Sequence, residues 1–314
     1  NLMFMLILVA AMSLVLGMGL PTTANYIVVS SLMAPIIVAL GAKSGLLIPL
    51  VAAHLFVFYF GILADDTPPV GLAAFAAAAI SGGDPIKTGV QGFMYDIRTA
   101  LLPFLFIFNT ELLLMDVTPM KAMFVFIVAV IAMMLFAAAT QGYFFAKSKW
   151  WESVIMLLIA FTLFRPGFWL DRVQPEFDVR SGTEILKIVE TLPADTELLI
   201  TVSGPNYDNP DRTDVTTLTL PLGAIGDSAK RLGEIGINIA IDGDKALFEE
   251  PLPASKFKRL SNSYDFYDDA NPVIVSAVKV PNNRMLKEVF YIPALFLLGL
   301  VIMLQRRRQT QPAF

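Results

Sequence analysis

Gly17-Met18-Gly19-Leu20-Pro21-Thr22-Thr23 splits an apolar stretch running from Leu2 to Leu40. Ala64-Asp65-Asp66-Thr67-Pro68-Pro69-Val70-Gly71 splits a second, from Ile48 to Ile80. Proline removes a backbone donor and glycine loosens the chain, so neither stretch can be one unbroken helix facing lipid. Paired aspartates at membrane depth are costly as well. Irregular backbone survives in a bilayer only where protein buries it or where it lines a wet cavity. Two such breaks in neighbouring segments point to a transport site made from discontinuous helices. The first stretch is either a re-entrant hairpin or two short spans joined by a turn. Its tip has no Lys or Arg, unlike most cytoplasmic loops, and its small residues suit close packing, which favours the hairpin.

Outward from the breaks, the whole chain fits a membrane setting. Its 314 residues are 56% hydrophobic and 16% charged, with a mean hydropathy of +0.65. Soluble domains carry about 25% charged residues. The composition excludes a soluble cytosolic enzyme and a disordered chain, and a net charge of -4 gives no basic surface for nucleic acid. The absence of cysteine removes disulfides, thiolate metal sites and cysteine nucleophiles.

A span needs about 20 apolar residues. Simple candidates are Thr99–Met115, Lys121–Phe145, Glu152–Leu170 and Val289–Leu304. The expected organisation is a transport half-domain over 1–115 (hairpin 2–40, broken helix 48–80, span 99–115) and two further transmembrane helices over 116–170. A small extracytoplasmic α+β domain follows over 171–284, then a C-terminal transmembrane anchor with a basic tail over 285–314. The chain opens on an apolar helix at Asn1 without a basic leader, so it is read as the C-terminal piece of a longer membrane protein. Arg306-Arg307-Arg308 sets the C-terminus in the cytoplasm. Alternating back along the spans puts 171–284 in the periplasm and Lys147, Lys149, Lys87 and Arg98 inside. Lys43 and Lys121 are left on the outer side, against the rule.

At Gly17–Tyr26 (GMGLPTTANY) and Asp66–Phe75 (DTPPVGLAAF) the chain resembles the fused membrane permeases of tripartite ATP-independent periplasmic (TRAP) transporters, in the branch served by TAXI-type binding proteins. His54–Phe60, Ala34-Pro35 and the tail from Tyr291 to Arg308 support the resemblance. Asp65-Asp66 stands where many relatives carry uncharged residues. The resemblance implies a bacterial inner-membrane, elevator-type transporter with inverted repeats. Sodium is the coupling ion and no other cofactor is needed. A periplasmic binding protein delivers a small organic anion of the dicarboxylate or 2-oxoacid type. The matching first hairpin would belong to the N-terminal remainder of the permease.

Sodium takes several hard oxygen ligands, and broken helices offer freed carbonyls at negative C-terminal ends. Gly17, Met18, Gly19, Asp66, Thr67 and Pro68 are the candidate ion-site residues. Pro21, Thr22, Thr23 and Asn25 are the candidate substrate residues, where the helix after Pro21 turns its positive end toward a carboxylate. Each also has a plainer role: the glycines in close packing, the threonines in bonds to their own backbone, Asn25 toward a neighbouring helix, and His54 in packing.

Within 171–284, strand-like runs fall at Glu197–Ser203, Val215–Leu220, Ile237–Ile241 and Val273–Val278, with helix signals at Thr183–Thr191 and Asp227–Leu232. The pattern is faintly PDZ-like. No acid–base or nucleophile constellation is visible, so an enzyme is not expected. The alternative to a transporter is a membrane-anchored scaffold whose periplasmic domain is an interaction module. An anchor, however, gains nothing from two buried breaks.

Overall fold

The computed structural model of the chain describes residues 2–67, 71–268 and 270–309. Contacts divide the chain into two units, one of residues 1–38, 48–174 and 285–314, the other of residues 39–47 and 175–284.

The first unit is helical. Helix α1 is Leu2–Gly17 and α2 is Thr22–Lys43, so the chain breaks at 18–21. Helix α3, Leu50–Asp66, ends as Thr67 leaves in an extended conformation, and α4, Leu72–Ser81, starts after Gly71 in the left-handed region at φ +36°. Both breaks fall where the Gly, Pro and Thr runs place them. The buried residues of α1 are Leu6, Val9, Ala10, Ser13 and Gly17, a helical stripe of three- and four-residue steps that packs against α3. Phe56 and Phe60 of α3 lie edge to face with Phe104, at 5.2 and 5.7 Å.

Helix α5 runs from Pro85 to Phe108, earlier than the expected span at Thr99–Met115. The start signal is local: Asp84 caps it by accepting from the Lys87 amide, and Pro85 sits where its missing N–H costs nothing. After a short 3₁₀ turn come α6, Pro119–Gln141, and α7, Trp150–Phe164. The expected single span Glu152–Leu170 is instead α7 followed by α8, Gly167–Val173, bent by 80° at Arg165-Pro166. A proline there cannot continue the amide ladder. Helix α11, Tyr291–Gln309, packs on α7.

Among the described residues three helices are long and apolar enough to cross a membrane, or four if the bent pair is one span. Helices α1, α3 and α4 are apolar but shorter. Leu105, Ala132, Leu135, Ile159, Leu163 and Ala294 make the core shared by α5, α6, α7 and α11. Two polar clusters tie this core. Glu111 binds Lys121 and Lys287, each at 2.5 Å. Glu152, buried in the first turn of α7, binds Arg308 and accepts from Gln305 Nε2 at 3.0 Å.

The second unit is a sheet with two short helices. Strand β1 is Phe177–Ser181, α9 Ile185–Thr191, β2 Glu197–Pro205, β3 Thr213–Pro221, α10 Ser228–Glu234, β4 Ile239–Asp242, β5 Lys245–Phe248 and β6 Ile274–Pro281. The antiparallel order is β3-β2-β6-β5-β4, with β1 also on β6. Strands β1 and β5 were not expected; at five and four residues each they are too short to show a clear alternation. Strand β2 alternates cleanly, burying Leu198, Ile200 and Val202 against Ile185, Val189, Phe248 and Val278.

Candidate functional site

The break between α1 and α2 is built on a close approach to α3. Asn25, in the second turn of α2, is 1% exposed, and its Nδ2 donates to the Gly61 carbonyl at 2.8 Å. Its Oδ1 is buried without a hydrogen-bond partner, and so is the Ser13 hydroxyl on α1. A Cβ on Gly17 would stand 2.8 Å from both Asn25 Nδ2 and Gly61 O, and 2.9 Å from Ala64 Cβ. Only glycine lets the end of α1, the foot of α2 and the middle of α3 meet there.

The remaining tip residues face outward. Gly19 is exposed at φ +79°, in the left-handed region, and Pro21, Thr22 and Thr23 are exposed. Met18 is half-buried. The first turn of α2 presents free backbone donors beside Thr22 and Thr23, and its dipole is positive there. The structure thus brings Gly17 and Asn25 together in the interior and sets Gly19, Pro21, Thr22 and Thr23 on the surface of the same break.

At the second break, Thr67 Oγ1 donates to the Leu63 carbonyl at 2.5 Å. That bond uses the hydroxyl proton and leaves its lone pairs as acceptors, a geometry open to a cation. Thr67 follows Gly61 by six residues, about 9 Å along α3, so the Asn25 contact lies within two turns of the second break. Pro68, like Pro69 and Val70, lies outside the described residues. So do the side chains of Asp65 and Asp66.

Sequence reasoning missed Ser13 and Gly61. Ser13 lies four residues before Gly17, which puts both on one helix face, and Gly61 is the lone glycine in the run from Leu46 to Asp66. His54 also has a definite partner: Nδ1 is 2.9 Å from the Tyr26 hydroxyl, and Tyr26 meets Phe58 edge to face at 5.4 Å. These residues line a cleft of about 500 Å³ with Leu50, Val51 and Leu55.

Comparison with known proteins gives two family matches. Residues 122–311 match the model described as Domain of unknown function (DUF3394). Residues 1–121 match the Tripartite ATP-independent periplasmic transporter, DctM component. No curated protein and no solved structure matches. The boundary between the matches falls at the start of α6, so both helix breaks lie in the part that matches the DctM model.

Proposed function

The chain belongs to the DUF3394 family over residues 122–311, and from its joining to a DctM segment over residues 1–121 we propose that it carries part of the path for sodium-coupled uptake of a small organic anion. The DctM family is a transporter component, not an enzyme family. It implies TRAP-type secondary transport, in cooperation with a periplasmic binding protein and other TRAP components. The DctM match and the long apolar helices make this a multi-pass membrane protein.

The finer reading is ours. The two breaks hold sodium and the anion in the second half of an elevator-type transport domain of the inner membrane. A TAXI-type binding protein hands over a dicarboxylate or 2-oxoacid, and residues 175–284 stand in the periplasm. The observation that carries it is the Asn25 amide, buried at the first break with its oxygen unpaired. An orphaned buried acceptor costs about 1–3 kcal/mol, and a cation at that oxygen offsets the cost. Carbonyls of Gly17, Met18 and Gly19 and the Thr67 hydroxyl, with Asp66 and Pro68, supply further oxygens. Pro21, Thr22 and Thr23 offer the positive helix end to a carboxylate.

The test is uptake into proteoliposomes containing the whole permease, with and without binding protein, under sodium or potassium gradients. Uptake should require both sodium and binding protein. Equal uptake in potassium without binding protein would refute the reading.

A further inference from the structure

The bend between α7 and α8 gathers cations and aromatic rings on one surface. The Arg165 guanidinium lies 4.1 Å from the centre of the Phe108 ring and 5.6 Å from that of Phe168. Arg172 lies over the same Phe168 at 4.4 Å. Asp171 is near enough to Arg165 to act on it electrostatically, so two cations and one anion leave a net positive charge. Phe168 in turn meets Trp169 edge to face at 5.1 Å.

Trp169 lines an almost wholly apolar slot of about 200 Å³ between α7, α8 and α11, which Leu158, Ile159, Ala294 and Leu297 also line. The indole N–H is already used, donating to Thr162 Oγ1 at 3.1 Å. The ring therefore offers the slot only its apolar face. A positive aromatic ledge continuous with a hydrocarbon-lined slot, at the end of α7 away from the basic tail, matches an amphiphile with an anionic head. Guanidinium groups stacked on rings keep edge N–H donors for phosphate oxygens.

We propose that this face holds one anionic phospholipid, its phosphodiester against Arg165 and Arg172 and one acyl chain in the slot. The site rests on these helices lying in a bilayer and is independent of what the protein transports. The lipid would wedge the α7–α8 bend against α11, the contact on which the DUF3394 helices close.

Delipidated full-length protein in detergent tests this by native mass spectrometry. The probes are dioleoyl phosphatidylglycerol, dioleoyl phosphatidylcholine and glycerol 3-phosphate. Phosphatidylglycerol should bind about tenfold tighter than phosphatidylcholine, and glycerol 3-phosphate should not bind measurably. Arg172→Gln changes an exposed residue, so folding is safe, and it should weaken phosphatidylglycerol about fivefold, the effect of one basic residue at a membrane surface. Leu158→Trp, at the half-open rim of the slot, should weaken both phospholipids. Equal affinity for the two phospholipids, or no change in Arg172→Gln, would overturn the headgroup contact. Glycerol 3-phosphate binding as well as phosphatidylglycerol, or wild-type affinity in Leu158→Trp, would overturn the acyl slot. Binding is read without transport, so failure of the uptake reading leaves this result standing.

Discussion

Asn25 on α2 reaches the backbone of α3 by a single bond, Nδ2 to the Gly61 carbonyl at 2.8 Å, while its own oxygen stays buried and unpaired. The amide is thus half used. One end pins the foot of α2 to α3, and the other remains as an acceptor inside the first break. Gly17 closes the same contact from α1, where its missing Cβ makes room.

Gly17→Ala should therefore damage the site more than Gly19→Ala. The first places a methyl 2.8 Å from a backbone carbonyl that cannot yield, and overpacking of this kind costs about 1–3 kcal/mol. The second meets nothing within 4 Å and costs about 1–2 kcal/mol through its left-handed backbone. Uptake in proteoliposomes should fall at least tenfold for Gly17→Ala and less than threefold for Gly19→Ala, at matched amounts of inserted protein. The reverse order would dissolve the link between this contact and transport.

Thr67→Val removes the hydroxyl that bonds Leu63 O at nearly constant volume. Loss of the bond alone costs about 0.5–1.5 kcal/mol of stability. Loss of a cation ligand should also raise the sodium concentration for half-maximal uptake, about fivefold or more. Thr67→Ser keeps both oxygen and proton and should stay near wild type. An unchanged sodium requirement in well-inserted Thr67→Val protein would assign the hydroxyl to helix capping alone.

Both breaks were legible because Gly, Pro and Thr runs stand out against apolar helix. The third discontinuity was not. Arg165-Pro166 sits inside a run that satisfies a span by hydropathy, and proline marks a possible bend without its angle. The α5 boundary was missed for a related reason: Lys87 and Arg98 were counted as inside charges before the span, whereas the Asp84 cap and Pro85 start a helix there. Asn25 and Gly61 are 36 residues apart, so no local period could pair them. Lys43 and Lys121 counted against the charge rule because sequence could not show their partners. Lys43 ion-pairs with Asp214 at 2.8 Å and Lys121 with Glu111 at 2.5 Å.

The Asp214 carboxylate should make the second unit acid-sensitive. Lys43 holds it below the ordinary carboxylate range, with help from Asn206 and Arg212. A carboxyl whose folded value is depressed contributes stability above its unfolded value, near pH 4, and loses it as pH falls through the lower folded value. The protection of β2 and β3 amides relative to their intrinsic exchange rate in the intact protein should stay high above about pH 4 and fall below it. Asp214→Asn should flatten that dependence and cost about 1–3 kcal/mol at neutral pH. An identical pH profile in wild type and variant would exclude this ion pair as the acid-labile element.

Arg231 is 1% exposed and has backbone carbonyls rather than a carboxylate as its partners. It donates to Val189, to Leu192 and Pro193 at 2.8 Å each, and to Gly223 at 3.1 Å. The first three acceptors lie at and just past the C-terminal end of α9, where a cation suits the helix dipole, and Gly223 follows β3. Arg231→Met leaves several buried acceptors unpaired and should destabilise the second unit by about 3–5 kcal/mol. Arg231→Lys should recover part of that, because three donors on one nitrogen cannot fan across four carbonyls. Urea unfolding followed by exchange at α9 and β2 measures both. Equal stability of Met and Lys variants would show that charge and hydrogen bonding there are immaterial.

The side of the membrane proposed for the second unit is argued from the basic last turn of α11. Arg306, Arg307 and Arg308 close α11, and a basic cluster next to a span stays in the cytoplasm. Arg308 is also anchored there by Glu152 at the start of α7, so one end of α7 and the basic end of α11 share a side. If α11 crosses the bilayer, its Tyr291 end is on the other side, and the sheet unit ends just before it at Arg284. The proposal that the sheet unit is periplasmic rests on this charge count. The chain contains no cysteine, so a single Asn262→Cys, exposed in a 3₁₀ turn of that unit, reports its side without background. A membrane-impermeant maleimide should label it in intact spheroplasts as fully as after lysis. Labelling only after lysis would place the unit in the cytoplasm, reverse every span, and remove the periplasmic role proposed for it.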